Sequence, residues 1–252
     1  MKKILAFRTD RLGDYLITSK ILKDLKLKYD HLTVVCSKTN YTLIKSQSFI
    51  DRIIVYDKNF SLLRKIQIFF DLFFNRYFLI LTLDGKNFSL LCSILLIGKK
   101  LCISYSKKKK FLGNDFYFNR PFSIISKIFF SKNETFSSRN ILKKTEHLST
   151  MYYRLCKEYI EIKNEEFYYE IPDQAKKDFN NIINKYSLGE YILIHFDEKW
   201  IDIKDINNDL YQSVLRLQHD TNKNIVISSF NNNCKYFFNF EENIKKFKPN
   251  NI

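Results

Sequence analysis

The chain has 252 residues, 45% of them hydrophobic and 16% aromatic, which supplies a core for one large domain or two ordinary ones and excludes a disordered chain. With 42 basic against 27 acidic residues the formal net charge is +15, which favours anionic partners: nucleic acid, lipid head groups or phosphorylated small molecules. The five cysteines (Cys36, Cys92, Cys102, Cys156 and Cys234) are scattered, odd in number and never spaced C-x-x-C, which argues against a disulfide framework or zinc site and for a reducing cytoplasm.

Taken in chain order, the hydrophobic period alternates. Residues 3–7 read as a strand, 14–28 as a helix with apolar positions at Leu16, Ile17, Ile21, Leu22 and Leu25, and 32–36 as a second strand. The first apolar run is broken by Arg8 and Asp10 too early for a signal peptide. A helix over 39–47, a strand over 52–56, a helix over 60–74, a strand over 77–83, a helix over 86–97 and a short strand over 101–104 follow. The run through 67–83 carries Asp71, Asn75 and Arg76, and the run 88–97 is closed by Gly98-Lys99-Lys100, so neither suits a membrane span of about 20 apolar residues. Continuous alternation implies parallel strands, right-handed crossovers and helices on both faces, hence an α/β doubly wound sheet.

From 107 to 143 the pattern degrades into a basic, aromatic segment. Its four lysines at 107–110 and the phenylalanines after them suit an anionic membrane surface, and equally a solvated turn followed by a packing helix over 121–130. A helix over 147–160 and a strand over 167–171 come next, and Pro172 opens a helix to about residue 186. A strand over 191–195, a helix over 208–220 and a strand over 224–229 restore the β-α-β rhythm. The expected domains are 1–171 and a smaller one over 172–252.

The stretch RTDRLGDYL, residues 8–16, falls where the first strand runs into the first helix, the place where open parallel sheets bind ligands. Gly13 there lets the backbone turn and a ligand approach without a Cβ. Free amides at the helix start favour an anion, either a ligand phosphate or a capping carboxylate from Asp10 or Asp14, and local sequence leaves both readings open.

The stretch KILAFRTDRLGDYLITSKILKDLKLKY resembles the opening signature of glycosyltransferase family 9, the ADP-heptose:lipopolysaccharide heptosyltransferases, with its strand, R-x-D-x-x-G-D and apolar helix. FIDRIIVYDK at 49–58, the stretch 76–110 and EHLSTMYYRLCKEY at 146–159 resemble later parts of that family in the same order. The resemblance implies a GT-B architecture of two Rossmann-like domains, acceptor-binding over 1–171 and nucleotide-sugar-binding over 172–252. It implies inverting transfer of a heptose or related sugar to a lipid-linked core or similar surface glycan, with no cofactor and no obligatory metal, in the cytoplasm and peripherally at the inner membrane.

By the same resemblance Asp14 matches the catalytic base. Arg8, Asp10, Gly13 and Lys86 fall on the acceptor side, with Arg8 offering its fork of donors to acceptor anions. His195, Lys199 and Trp200 fall on the donor side, where Lys199 meets the departing pyrophosphate. The second domain departs from the family in carrying Phe196-Asp197-Glu198 where a Pro-Gly pair is typical, and in its short extent, which reads as a truncated donor half. A non-catalytic scaffold is therefore one alternative. A basic nucleic-acid-binding protein is another, although no recognised motif supports it and the lysines are spread over the whole chain.

Overall fold

Strand β1 (Lys3–Arg8) is apolar on both sides, and the sequence requires it to be covered on both. In the computed structural model, which describes residues 1–111, 114–119, 128–137, 148–161, 168–196 and 206–229, it is the central strand of its sheet. Ile4 and Ala6 face a core formed with helix α1 (Leu12–Lys28), and Leu5 and Phe7 face a separate one on the other side.

Strands β2 (His31–Ser37) and β4 (Leu79–Thr82) pair with β1 in parallel, and β3 (Arg52–Tyr56) and β5 (Lys99–Phe111) flank them, giving the order β3-β2-β1-β4-β5. Helix α2 (Lys38–Ile44) joins α1 on one face through Ile44. Helices α3 (Leu62–Phe73) and α4 (Asn87–Leu95) cover the other through Ile68, Leu72 and Cys92. The order reverses at β1, which makes the carboxyl ends of these strands the place for a crevice.

Strand β5 is far longer than the expected 101–104. Its second half, with the four lysines, pairs antiparallel with β6 (Asn114–Asn119), and Leu101 to Ser106 pair in parallel with β7 (Lys132–Ser137). The expected lysine turn is thus a β-hairpin arm. Most of the expected helix over 121–130 lies outside the described residues. Helix α5 (Leu148–Cys156) then packs on the α1 face through Met151, Tyr152, Leu155 and Cys156.

The strand expected over 167–171 is not one: residues 168–170 are without regular structure. The Gln47 side chain does a neighbouring strand's work there, accepting from the Glu170 amide at 3.0 Å and donating to the Glu170 carbonyl at 3.1 Å. The Glu170 carboxylate accepts from the Ser48 amide and hydroxyl.

The chain divides into two compact units, 1–171 and 172–252. In the second, helix α6 (Asp173–Lys185) starts after Pro172, and β8 (Tyr191–Phe196), α7 (Ile206–Thr221) and β9 (Asn224–Ser229) form a β-α-β unit whose strands are parallel. Val214 and Ile225 are buried there. Among the described residues no helix is long and apolar enough to cross a membrane.

Gly98, expected to stop a helix, has a stricter duty between α4 and β5. Its φ is +151°, and a Cβ would lie 2.4 Å from the Tyr77 carbonyl oxygen. The clash is with backbone, which cannot swing away as a side-chain tip can. Gly98→Ala is expected to lower unfolding stability by about 2–4 kcal/mol in urea denaturation, and a change below about 0.5 kcal/mol would contradict this reading.

Candidate active site

The crevice begins with Arg8, the last residue of β1, whose side chain is 0% exposed. Its Nη1 donates to the Leu83 carbonyl at 2.6 Å and to the Tyr152 hydroxyl at 2.8 Å, while Nε and Nη2 donate to the Asp14 carbonyl at 2.9 and 2.5 Å. The Tyr152 hydroxyl also donates to the Leu83 carbonyl, and the guanidinium carbon lies 5.1 Å from the Tyr152 ring centre. The fork that sequence assigned to acceptor anions therefore ties β1, the loop after β4, α1 and α5 together. A buried guanidinium needs this many oxygens because an unpaired one would carry a large desolvation penalty.

Two carboxylates flank that cation. Asp14 lies in the first turn of α1, where the helix dipole favours an anion, and its Oδ1 is 3.7 Å from Arg8 Nη2 with the side chain 30% exposed. Asp10 Oδ1 is 3.2 Å from Arg8 Nε, yet it is buried without a hydrogen bond, because the Nε hydrogen is directed at the Asp14 carbonyl. That oxygen thus receives charge without a proton donor. Burial, the largest influence on Asp10, raises its pKa from 3.8 to about 7, with Asp84 and Asp14 adding to the rise and Arg8 opposing it.

Neither acid caps α1. The helix starts two residues before the expected position 14, its cap position is Arg11, and no side chain bonds there. Gly13 has no positive φ, and a Cβ on it would meet nothing within 4 Å. The turn does not require this glycine; what it leaves is open space beside Asp14 at the start of the helix.

Across the crevice stands Asp84, a residue the sequence reading passed over. It is buried and accepts from the Thr9 amide (3.2 Å), the Thr9 hydroxyl (2.5 Å), the Ser89 hydroxyl (2.7 Å) and the Lys86 amide (3.1 Å). These bonds lock the loop after β1 to the loop after β4. Gly85 follows with φ +55°, and the Asp-Gly pair is the signal that marks this turn. Lys86 then points back, and its ammonium donates to the Thr9 carbonyl.

A pocket of about 540 Å³ opens at the carboxyl ends of β1 to β4. Thr9 and Asp10 line it from the first loop, Ser37 to Thr39 from the second, Tyr56 to Lys58 from the third and Lys86 to Phe88 from the fourth. Tyr56 and Phe88 stack with centres 4.0 Å apart, and Lys38 pairs with Asp57 at 3.2 Å. Three lysines, an apolar ring pair and a carboxyl that titrates near neutrality suit a hydroxyl-rich anionic ligand. The structure thus gathers Arg8, Asp10, Gly13, Asp14 and Lys86 at one sheet end. In the second unit His195 is the penultimate residue of β8 and pairs with Ser228, while Lys199 and Trp200 lie outside the described residues.

No family model and no curated protein matches the sequence. Solved structures do match. A glycosyl transferase family 9 structure from Veillonella parvula superposes with a TM-score of 0.63 at 15% identity over 90% of this chain, which spans only 62% of that protein's length. The E. coli heptosyltransferase WaaC with ADP gives 0.57 at 14% identity, covering 98% of this chain and 72% of WaaC. A UDP-GlcNAc 2-epimerase from Methanocaldococcus jannaschii gives 0.54 at 12% identity, covering 99% of this chain and 71% of the epimerase. At such identities the likeness is one of fold. The α/β class with parallel sheets is as expected, and the chain shares the fold of glycosyltransferase family 9, the family that its opening motif resembles.

Proposed function

We propose that the protein is a glycosyltransferase that moves a heptose or related sugar from a nucleotide-sugar donor to a hydroxyl of a lipid-linked surface glycan. Its unit 1–171 holds the acceptor and 172–252 the donor. The reading rests on the RTDRLGDYL motif and on the fold shared with transferases. The single observation that carries it is the Asp14 carboxylate, partly open to solvent beside a buried Arg8, at the switch point of the parallel sheet.

In this reaction the acceptor oxygen attacks the anomeric carbon from the face opposite the leaving group, which inverts that centre. The bond to the donor diphosphate breaks, and the nucleoside diphosphate leaves with the bonding pair. The proton of the attacking hydroxyl goes to Asp14. Arg8 positions Asp14 through its main chain and sets a fixed cation beside its carboxylate. Lys86, Asp10 and the open space at Gly13 shape the acceptor side. His195, Lys199 and Trp200 act on the donor side, where a lysine beside the diphosphate stabilises the charge that accumulates as it departs. In this proposal, as the resemblance implies, the reaction uses no obligatory metal or cofactor and runs in the cytoplasm, at the inner membrane that carries the acceptor.

The test is incubation with ADP-heptose and a lipid A-Kdo acceptor, wild type beside Asp14→Asn. Expected is product from the wild type and a loss of at least about a hundredfold in rate with the variant. Equal rates remove Asp14 from the chemistry. Product from neither favours a non-catalytic scaffold, and a donor epimerised without acceptor favours the epimerase-like use of the fold.

A further inference from the structure

Helix α3 carries two apolar stripes where the sheet needs one. At about 100° per residue, Ile68 and Leu72 project together onto the sheet and are buried. Leu62, Leu63, Ile66, Phe70, Phe73 and Phe74 centre about 160° away and are exposed, Leu62 at 72%, Leu63 at 73% and Phe74 at 79%.

The outer stripe is ordered. The Phe69 ring lies 5.7 Å from Phe70 and 5.6 Å from Phe73, and Phe74 lies 6.1 Å from Phe70 and 5.9 Å from Phe73, so four rings form one continuous cluster. Helix α4, which covers the same sheet face, has no charged residue and exposes Leu91 and Leu95, with Ile97 exposed just after it. A cluster of exposed rings such as that on α3 is unusual on a protein that meets only water.

Its charge surroundings select the partner. Arg64 donates to Gln67 Oε1 and Lys65 to the Lys58 carbonyl, both neutral oxygens, so their positive charge remains to act outward. Lys58 and Arg76 are exposed beside the helix. The helix's own acid, Asp71, is neutralised by Arg52 through two bonds of 2.6 Å. An apolar stripe fringed by uncompensated cations matches an anionic lipid surface, with rings entering the head-group boundary and cations meeting phosphates. A second copy is a poorer occupant, since it would oppose these cations with their own kind on a chain of charge +15.

We propose that α3, with the exposed edge of α4, docks the protein on the surface of an anionic bilayer without crossing it. The proposal stands independently of the reaction catalysed, and it assigns to this face the membrane contact that sequence located at the lysines of 107–110.

The test is flotation of the full chain with phosphatidylcholine vesicles with and without phosphatidylglycerol. Expected is binding to the anionic vesicles only, weakened by salt, and a drop of at least about tenfold in partitioning for Phe70→Ser/Phe73→Ser/Phe74→Ser with an unchanged melting temperature. Should that variant misfold, Arg64→Glu/Lys65→Glu and Phe74→Trp take its place. The charge reversal should release the protein, and the new indole should be quenched by brominated lipid. Undiminished flotation, an unquenched Trp at 74, or a wild-type dimer that the substitutions dissociate would each overturn the proposal.

Discussion

Arg8→Met is expected to cost about 3–5 kcal/mol of unfolding stability, a large part of what a domain of this size possesses. The substitution keeps most of the side-chain volume, so the loss is not that of a cavity. It is the price of leaving the Leu83 carbonyl, the Asp14 carbonyl and the Tyr152 hydroxyl without the cation they converge on, in a place that water does not reach. Two carboxylates, Asp10 and Asp14, would also lose the positive charge between them. Arg8→Lys keeps that charge but replaces a planar fork with a single ammonium, which cannot serve Leu83 on one side and Asp14 on the other. It should recover less than half of the loss. Urea denaturation of both variants measures this. A cost below about 1 kcal/mol for Arg8→Met would show that water enters the crevice and that Arg8 is a surface group after all.

That expectation could not be written from the sequence, and the reason is local. The motif placed Arg8 at the end of a strand, and strand ends at a switch point touch ligands, so an anion-gripping role was the natural reading. What reverses it is Tyr152, 144 positions further on in α5, and the Leu83 carbonyl, which no pattern of side chains reveals. Strands β3 and β9 were legible to the residue, because a run such as RIIVY has only one period to offer. Strand β5 was not, since its lysines at 107–110 read as a solvated turn until a partner strand at 114–119 pairs with them. Residues 168–170 failed in the opposite sense. They are rich in strand-forming tyrosine, but their backbone bonds go to side chains: Glu170 to Gln47 and the Tyr168 carbonyl to the Ser19 hydroxyl. In the site, five of the residues singled out by sequence do meet at one sheet end. Asp84 was missed because a buried acid inside an Asp-Gly turn looks like turn chemistry alone.

The second large effect concerns pH. The Asp10 carboxyl titrates at about 7 in the folded protein against 3.8 as the ordinary value, so between those limits the folded state holds a proton that the unfolded chain has released. Stability attributable to this group is therefore present in acid, declines as pH rises from about 4, and is fully lost above about 7. A shift of that size corresponds to roughly 4 kcal/mol as an upper figure, since Arg8 is close and the side chain retains 14% of its exposure. Asp10→Asn keeps the shape and removes the ionisation. The variant should match the wild type near pH 4, exceed it at pH 8 by a sizeable fraction of that amount, and show a flatter melting temperature between the two. Identical pH slopes for the two proteins would mean that Asp10 is ionised and solvated throughout. The charged groups around it explain why the strain is tolerated: Asp84 and Asp14 push its proton on, Arg8 pulls it off, and the Lys86 ammonium faces the same pocket. An acid that weakens the fold at neutral pH, directed into the pocket beside the proposed base, fits a group kept to exchange a proton or a hydrogen bond with a bound sugar. If so, Asp10→Asn gains stability while losing acceptor affinity, and those opposite signs distinguish a working carboxyl from a structural one.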